Sequence, residues 1–557
     1  MNSAAATTTL DDPFYYLRNF ETVLGWVVTR HQDLLTTDER DRVRAFTTLP
    51  QAPRALLVRM IMRKGEHFRA NKLRYMEIGP AEPALATLLD NGWLAHATEL
   101  DADQLFRLYT RAELAAALVD EFNAADTSAG LTRNGRKSDW LRALRERHPT
   151  PRALSAWDPA NRLEPLFRVT VMPLCERLRL MFFGNLHQDW SEFVLTELGT
   201  FRYESVALDS QSRPFQRREE IDAWLALHAW RQRFDAGEPL DAIHAELPDG
   251  DTGNPWVEPL RHRLRYKLAR QWERQGELER ADALYARCHH REARGRRLRV
   301  LERRGDWHAA LTLAAQAQAA PESEAERQQL ARVLPRLHRK LGLPAPPRGE
   351  NPATGELTLT LPTCGFVEGA VANHLATPDA PVFYVENTLL TGLFGLLCWE
   401  ALFAPVPGAF FHPFQSGPAD LYDADFQARR GALFERAFET LANGEHRPLI
   451  VRTFNEKHGI QSPFVHWGAL SEALLTRALD CIPAAHLRLC FERLLRDIKA
   501  NRAGLPDLIQ LFPERGDYRM IEVKGPGDRL QDNQRRWLAF FAAHSIPALV
   551  CKVQWAP

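Results

Sequence analysis

The sequence has few cysteines, no excess of charge of either sign and no long apolar run. Its seven cysteines are an odd number, lie far apart and form no C-x-x-C pair, so neither a disulfide framework nor a zinc site is expected. Basic and acidic residues number 71 each, which leaves a formal net charge of zero. A surface for nucleic acid would therefore have to be a local patch.

Membrane and export signals are missing as well. No apolar stretch approaches the length that spans a bilayer, and the opening MNSAAATTTLDDPFYYLRNF lacks a basic segment followed by an apolar core. We therefore expect a cytoplasmic protein. Its 557 residues are too many for one hydrophobic core, so the length predicts two to four domains.

The N-terminal part has helical periodicity from about residue 11 to 94. Apolar residues in YYLRNFETVLGWVVTRH recur at the spacing of one helix face, at Tyr16, Phe20, Val23, Leu24 and Val27. A second helix is predicted to begin near Pro53, in PRALLVRMIMRK. This region therefore reads as a helical domain.

Residues 108–149 read as a helix, a polar loop and a second helix. Thr110 followed by Glu113 has the spacing of a capping box, which predicts a helix start. At the start of the second helix stand three basic residues, Arg133, Arg136 and Lys137. Basic side chains beside free N–H groups suit phosphate oxygens, although a solvated surface loop fits the same pattern.

A weak internal repeat follows. ERQGELERADALYA begins at Glu273 and ERRGDWHAALTLAA at Glu302, with glycine, alanine and leucine at matching positions. Helix pairs joined by a glycine turn indicate a helical-repeat array, which serves more often as a spacer or interaction module than for catalysis. The basic run HHREARGRRLRVLERR, 289–304, fits either a nucleic-acid contact or a solvated helix face. LGLPAPPRGENPATGE, 341–356, reads as a linker.

The C-terminal part changes to mixed helix and strand. Asp507 opens a strand in DLIQLF, PERGDY turns, and RMIEVKG is a second, antiparallel strand. DRLQDNQRRWLAFFAAH reads as a helix and PALVCKVQW as a third strand. This pattern predicts an α/β domain with a mixed sheet.

Three residues on the predicted hairpin suggest chemistry. Side chains alternate along a strand, so Glu522 and Lys524 share a face, and the hairpin can bring Asp507 beside Glu522. Two carboxylates without histidine or cysteine suit Mg²⁺ or Mn²⁺, and a lysine beside them can orient a water. An E-x-K pattern by itself favours an ordinary strand with Glu and Lys facing solvent. The full combination, P-D, a hairpin, E-V-K-G-P and then Q-x-x-W on a helix, is far more specific.

This combination resembles the PD-(D/E)xK nuclease motif, and GLPDLI…IEVKGPGDRLQDNQRRWL resembles its VRR-Nuc branch. With FYYLRNFETVL, LVRMIMRK…KLRYMEI and LYTRAELAAAL…NGRKSDWLRAL in the same order, nearly the whole chain resembles a bacterial Fanconi-associated nuclease. The resemblance implies a multidomain protein, mainly α in its N-terminal regions, with a C-terminal α/β restriction-endonuclease-like domain. The implied domains are an N-terminal helical DNA-binding domain (11–105), a SAP-like module (106–150), a helical or tetratricopeptide-like repeat domain (151–345) and a VRR-Nuc nuclease domain (356–557).

The resemblance also implies roles for residues. It adds Glu386 as a first metal-binding carboxylate, at the start of a helix predicted over VFYVENTLLTGLFGLLCWEALF, 382–403. Glu386, Asp507 and Glu522 would bind the metal together with the Val523 carbonyl. Lys524 would position the attacking water beside Asp507 and Glu522. Gln534 would support this geometry or contact substrate. Glu400 lies about 21 Å along the same predicted helix, too far to share the ion.

The implied activity is that of a 5′-flap endonuclease and 5′-to-3′ exonuclease. It would hydrolyse phosphodiester bonds with Mg²⁺ or Mn²⁺, leave 5′-phosphate products and act in interstrand cross-link repair. The expected partner is branched, 5′-flap or nicked DNA, bound by a monomer at the nucleoid of a bacterium, with protein partners on the helical repeats. No cysteine precedes Cys175, so the ubiquitin-binding zinc finger of animal members is not expected. Two alternatives stay open: a catalytically inactive DNA-binding scaffold, and a dimeric Holliday-junction resolvase.

Overall fold

A computed structural model describes residues 12–97, 99–123, 132–188, 190, 201–248, 250, 252–347 and 354–556. The chain separates into two compact units, Met1–Thr200 and Phe201–Pro557. Part of the predicted linker, 348–353, lies outside the described residues. Among the helices of the described ranges, none has the length and apolar character needed to cross a membrane.

The first unit is mainly helical. Its helices are α1 (Tyr15–His31), α2 (Thr37–Thr48), α3 (Gln51–Ile61), α4 (Ala81–Asp90), α5 (Ala102–Leu108), α6 (Arg111–Ala117), α7 (Val119–Asn123), α8 (Lys137–Arg147), α9 (Leu154–Trp157) and α10 (Met172–Phe183). The apolar stripe predicted in the first helix is buried in α1, as expected. The helix expected near Pro53 begins at Gln51. The capping box predicted at Thr110 is present, because its hydroxyl accepts from the Glu113 N–H at the start of α6.

Two small antiparallel sheets complete this unit. Their strands are β1 (His67–Arg69), β2 (Leu94–His96), β3 (Glu99–Leu100), β4 (Arg152–Ala153) and β5 (Leu166–Val169). Strand β5 lies between β1 and β2, and β3 pairs with β4. The central strand of the first sheet, β5, is therefore contributed by a segment beyond residue 150.

The second unit begins with a helical array. Its helices are α11 (Arg218–Asp235), α12 (Leu240–Glu246), α13 (Glu258–Gln275), α14 (Leu278–Ala286), α15 (Ala293–Arg304), α16 (Trp307–Ala319) and α17 (Glu324–Lys340). Gly276 and Gly305 end α13 and α15 in the left-handed conformation, with φ of 89° and 80°. Ala281 and Ala310 are both fully buried in the helices that follow. The predicted helical hairpins are therefore confirmed.

The basic run 289–304 is mostly taken up by ion pairs inside this array. The pairs are Arg294 with Glu326, Arg296 with Glu273, Arg297 with Asp282, and Arg304 with Asp282 and Asp306. Arginines engaged in this way hold neighbouring helices together and have fewer donors left for phosphates. The structure favours a structural role for this run over an open nucleic-acid surface.

The C-terminal part of the second unit is built around a mixed sheet. Its strands are β6 (Gly355–Leu361), β7 (Val382–Tyr384), β8 (Leu508–Phe512), β9 (Asp517–Lys524) and β10 (Ala548–Trp555), in the order β6-β10-β9-β8-β7. Strand β10 runs parallel to β6 and β9, whereas β8 is antiparallel to β9 and β7. The predicted hairpin, helix and third strand are confirmed, and so is the fold class.

Helices cover both faces of this sheet. They are α18 (Val367–Leu375), α19 (Leu389–Leu397), α20 (Trp399–Leu402), α21 (Gly431–Asn443), α22 (His446–Lys457), α23 (Glu472–Cys481), α24 (Ala484–Arg496), α25 (Ile498–Asn501) and α26 (Asp532–Ala543). Ile521 and Val523 pack with Val371 of α18 on one face. Ile509 and Met520 join the large core of α19, α21 to α24 and α26 on the other. Gln510 of β8 and Glu522 of β9 are therefore buried, whereas Lys552 of β10 stays exposed.

Candidate active site

Asp507 and Glu522 lie side by side at one end of the hairpin. Leu508 of β8 pairs with Ile521 of β9. Asp507 and Glu522 are the next pair in this register, so they are neighbours on the opposite face of the sheet. The Asp507 carboxylate accepts the Val523 N–H at 2.8 Å and so continues the hydrogen bonding of the strand pair by one step. The structure thus brings together the two acids that the sequence pattern predicted as neighbours.

Lys524 is positioned against this pair. Its Nζ lies 2.7 Å from Oε1 of Glu522. The Glu522 residue is 0% exposed, and within the described ranges neither carboxylate oxygen accepts a hydrogen bond of good geometry. A buried carboxylate with one cation beside it and no further donors has free acceptor capacity.

Burial makes both acids weak. Removal from water raises the pKa of Asp507 to about 6, against the lowering effect of the Val523 N–H and the Lys524 ammonium. Burial, together with the neighbouring Asp507 charge, raises the pKa of Glu522 to about 7. The negative charge of Glu386 raises the pKa of both residues. The site therefore concentrates negative charge that a cation would stabilise.

The position of Glu386 differs from the sequence prediction. Residues Val382–Tyr384 form the edge strand β7, and the helix begins only at Leu389, so Glu386 lies in the turn between them and not in a first helical turn. Asn387 has a left-handed φ of 51°, which cannot continue into a helix. The continuous apolar run had concealed this break.

The correction extends to Glu400. Its predicted distance from Glu386 assumed one unbroken helix, but the structure has α19, then α20 starting at Trp399. Glu400 is exposed and pairs with Arg436 at 2.8 Å. Glu400 is thus engaged with Arg436 at the surface, and its separation from Glu386 no longer follows from the length of one helix.

The carboxylate of Glu386 is engaged locally. It accepts the Tyr384 hydroxyl at 2.5 Å and the Asn387 side-chain N–H at 3.2 Å. Within the described ranges no three histidine, cysteine, aspartate or glutamate side chains converge as a ready-made metal site. The structure therefore joins Asp507, Glu522 and Lys524 and leaves Glu386 close by but bonded elsewhere.

The turn before Asp507 is held from two sides. The Leu505 N–H donates to the Asn387 side-chain oxygen at 3.1 Å. Gly504 has φ of 88°, and a Cβ at this position would come within 2.9 Å of the Asn533 backbone at the start of α26. Only glycine meets both requirements. The turn thus fixes Asp507 relative to Glu386 and to the last helix.

Three residues near the acids carried no sequence signal of their own. Tyr384 and Asn387 contact Glu386 directly, as described above. Glu368, in the first turn of α18, is close enough for its charge to raise the pKa of Asp507. Asparagine adopts the left-handed conformation more readily than most residues, so Asn387 after Glu386 was a weak local sign of the turn.

Gln534 and the basic trio occupy less specific positions. The Gln534 side-chain oxygen accepts the Gln531 N–H at 2.8 Å and closes the first turn of α26. Lys137 donates to the Tyr109 carbonyl at 2.7 Å, which ties it to its own unit. Arg133 and Arg136 are exposed beside the N-terminus of α8. Of the three, these two arginines remain free to meet an anion.

The donors at the site fit a hard divalent cation. Asp507 and Glu522 offer buried carboxylate oxygens, and no thiol or imidazole stands among the residues described at the site. Oxygen ligands of this kind suit Mg²⁺, Mn²⁺ or Ca²⁺ in preference to Zn²⁺ or copper. A carboxylate with unfilled acceptor sites and a raised pKa gains most from such an ion.

Three family models match the chain. They are the VRR-NUC domain over residues 441–555, the FAN1 HTH domain over 14–95 and the Fanconi anemia-associated nuclease SAP domain over 99–157. The VRR-NUC match includes the hairpin with Asp507, Glu522 and Lys524. It begins after Glu386.

Complete proteins and solved structures match as well. The Fanconi-associated nuclease 1 homolog of Pseudomonas aeruginosa is 50% identical over 550 residues, which cover 98% of this chain and 97% of that protein. The Arabidopsis thaliana homolog is 25% identical over 97% of this chain and 67% of its own length. The crystal structure of paFAN1 bound to 5′-flap DNA with a two-nucleotide flap and a gap superimposes with a TM-score of 0.87, at 50% identity over 99% of this chain and all of the other.

Proposed function

The chain belongs to the Fanconi-associated nuclease 1 family, and from that premise we propose that it cleaves branched DNA at 5′ flaps. It acts as an endonuclease and as a 5′-to-3′ exonuclease, leaves 5′-phosphate products and works in interstrand cross-link repair. The observation that carries this proposal is the buried Asp507–Glu522 pair with the Lys524 ammonium against it. Such work on chromosomal DNA places the protein in the bacterial cytoplasm, at the nucleoid.

Asp507, Glu522 and the Val523 carbonyl would hold Mg²⁺ or Mn²⁺, with Glu386 as a third carboxylate. When bound, such an ion neutralises charge on the scissile phosphate and activates water. Each oxygen of Glu386 accepts one hydrogen bond, from Tyr384 or Asn387, and keeps a further acceptor site for this role. Because the preference for hard oxygen donors is shared by both ions, the choice between them is left to assay.

The chain's own groups do the rest. The Lys524 ammonium lies 2.7 Å from Glu522 and can orient the attacking water while it offsets phosphate charge. Asp507 cannot rotate freely, because one of its oxygens is held by the Val523 N–H. Gln534 acts indirectly, by fixing the start of the helix that packs on the turn before Asp507. The site is thus arranged before substrate arrives.

DNA contacts away from the site are proposed for the SAP-like segment. Arg133 and Arg136 are exposed next to a helix N-terminus, and both features favour phosphate oxygens. Lys137 contributes mainly by holding its loop through the Tyr109 carbonyl. The regions 11–105, 106–150, 151–345 and 356–557 are proposed as functional domains, with the repeats open to protein partners and the whole acting as a monomer on DNA.

The test is cleavage of a substrate panel by the full chain with Mg²⁺ or Mn²⁺: a 5′ flap, a nicked duplex, a four-way junction and a single strand. Asp507→Asn should lower flap cleavage by about a thousandfold or more, the scale of removing a group that stabilises the transition state, with DNA affinity retained. Glu400→Gln is the matched control, since this acid is exposed and paired with Arg436. Undiminished cleavage by Asp507→Asn would refute the assignment.

The same panel separates the alternatives. A wild-type chain that binds but cuts nothing is an inactive scaffold. A Holliday-junction resolvase would prefer the four-way junction and cut it symmetrically. It would also be a dimer in solution, as measured by light scattering.

A further inference from the structure

Large hydrophobic side chains are rarely exposed in the described part of the chain, and two of them touch. The exposed set is Met76, Leu343, Phe366, Tyr384 and Tyr422. Phe366 is 55% and Tyr384 46% exposed, and their rings meet edge to face with centroids 5.6 Å apart. We call Phe366 and Tyr384 the aromatic pair. Each of the two residues leaves about half of its surface in water, so packing in the core does not explain the arrangement.

The aromatic pair stands at the candidate active site. Tyr384 is the last residue of β7, pairs with Leu508 just after Asp507, and donates its hydroxyl to Glu386 at 2.5 Å. Phe366 directly precedes α18, which begins at Val367 and carries Glu368 in its first turn. One ring is therefore bonded to a metal-site carboxylate, and the other is attached to the helix that brings a further acid.

The ring of Phe366 occupies the space that the missing side chain of Gly369 leaves. A Cβ at Gly369 would come within 2.4 Å of the ring, closer than non-bonded atoms approach. Gly369 is inside α18, where glycine is less favourable than alanine. The glycine makes room for the ring to lie on the first turn of the helix, and Tyr384 closes its edge. The ring thus has a defined position while more than half of the residue stays exposed.

We propose that the aromatic pair is a stacking platform for one unpaired nucleobase of the DNA strand whose phosphate is cut; this inference rests on the proposed function. An aromatic face fixed beside a phosphodiester-cleaving site suits a base, because every base offers a π-face. Because the two rings meet edge to face, one exposed ring face is available, which provides the area for a single base and is too small for an apolar helix face. A base inside a duplex has both faces covered by its neighbours, so the platform favours strands that are unpaired or frayed at the cut.

The experiment combines protein variants with altered bases. Phe366→Ala removes the ring, Phe366→Leu keeps apolar bulk without an aromatic face, and Gly369→Ala displaces the ring without removing it. Leu343→Ala is the control for loss of an exposed apolar side chain elsewhere. Each protein is assayed with Mn²⁺ on 5′-flap substrates that carry either intact nucleotides or a single abasic nucleotide at successive positions flanking the cut, and thermal unfolding checks that each variant folds.

The platform predicts a specific pattern. Phe366→Ala should raise KM about 5- to 100-fold on the intact substrate, the range of one lost base–aromatic stack, with kcat nearly unchanged. Phe366→Leu and Gly369→Ala should follow it, whereas Leu343→Ala should match wild type. With the abasic nucleotide at the contacted position, all four variants and wild type should converge. An equal loss on intact and abasic substrates, or no loss on any substrate, would overturn the platform.

A second measurement does not depend on cleavage. The Asp507→Asn chain, with and without Phe366→Ala, is titrated into the same flap carrying 2-aminopurine at the contacted position. Stacking predicts fluorescence quenching that requires Phe366. If wild type cuts no substrate but this quenching is present, the proposed function fails and the platform stands. If wild type cuts flaps and Phe366 has no effect on quenching, the platform fails alone.

Discussion

Lowering the pH should weaken cation binding by the full chain, because protons and the cation compete for the same two carboxylates. Burial raises the pKa of Asp507 to about 6 and that of Glu522 to about 7. Both groups are ionised at about pH 8 and mostly protonated at about pH 5.5. An ion that binds at the lower pH must first displace these protons.

The size of the effect follows from the fraction of each carboxylate that remains ionised. At about pH 5.5 the ionised form is depleted roughly thirtyfold for Glu522 and roughly fourfold for Asp507, given those pKa values. Together they should lower the association constant by about a hundredfold relative to pH 8, or about 3 kcal/mol. Most of this change comes from Glu522, the more deeply buried of the two.

Calorimetric titration of Mn²⁺ into the metal-free chain measures both the affinity and the protons. Runs in buffers of different ionisation enthalpy should show nearly two protons released per ion at about pH 5.5 and almost none at about pH 8. Glu522→Gln should bind more weakly at pH 8 and lose most of the pH dependence. An association constant that stays the same from pH 5.5 to 8, without proton release, would refute the reasoning.

The same pKa shifts determine the sign of the stability change without metal. Between about pH 4, where unfolded carboxyls ionise, and about pH 7, the folded chain holds protons that the unfolded chain has released. The contribution of Asp507 and Glu522 to the free energy of unfolding should therefore fall as the pH rises through this range and level off above it, and the difference in urea unfolding between wild type and Glu522→Gln isolates the Glu522 part. Added Mn²⁺ should raise Tm more at about pH 8 than at about pH 5.5.

Three further predictions concern the support of the site and the core. Gly504→Ala should reduce flap cleavage at least about tenfold through displacement of the Asp507 turn. Gly527→Ala, equally left-handed with φ of 92° but in open space, should cost only about 1 kcal/mol in urea unfolding. Asn387→Gly should lower kcat and cost about 1–3 kcal/mol for two lost hydrogen bonds, and Asn387→Ala about 1 kcal/mol more for backbone strain. Asp420→Ala should cost about 3–5 kcal/mol, because the buried Arg430 loses its carboxylate partner.

Each of these has a clear contrary result. Equal cleavage by the two glycine variants would mean that the close approach at Gly504 does not hold the turn. Equal stability of Asn387→Gly and Asn387→Ala would mean that the left-handed backbone carries no strain. An unfolding midpoint for Asp420→Ala within error of wild type would show that Arg430 reaches water once its partner is gone.

The hairpin and its two acids could be predicted because the information is local. Asp507 and Glu522 are close in sequence, the strands alternate, and a short turn with Gly516 sets the register. Once the register is set, the two carboxylates must meet. The Lys524 position follows from the same alternation, so the most specific part of the site was readable from one short stretch.

The surroundings of Glu386 could not be predicted in the same way. Strand β7 has only three residues, too few to show a period of two, and it pairs with a strand more than a hundred residues later in the chain. The strongly apolar stretch after it extends the apparent helix backwards. The bonds from Tyr384 and Asn387 to Glu386 join near neighbours, but they form only because β7 ends at Tyr384 and the chain turns at Asn387. The close packing at Gly504 depends on Asn533 of a separate helix, which no local pattern encodes.

The bond from the Val523 amide to the Asp507 carboxylate has a consequence for how the proposed nuclease centre can fail. The carboxylate serves as a rung of the β8–β9 ladder, so it cannot swing out of place as a free side chain would. The carboxylate therefore leaves its position when strands β8 and β9 separate, and it reaches that position when the two strands pair. Hydrogen exchange of the Val523 amide should therefore measure the integrity of the sheet and of the proposed centre together.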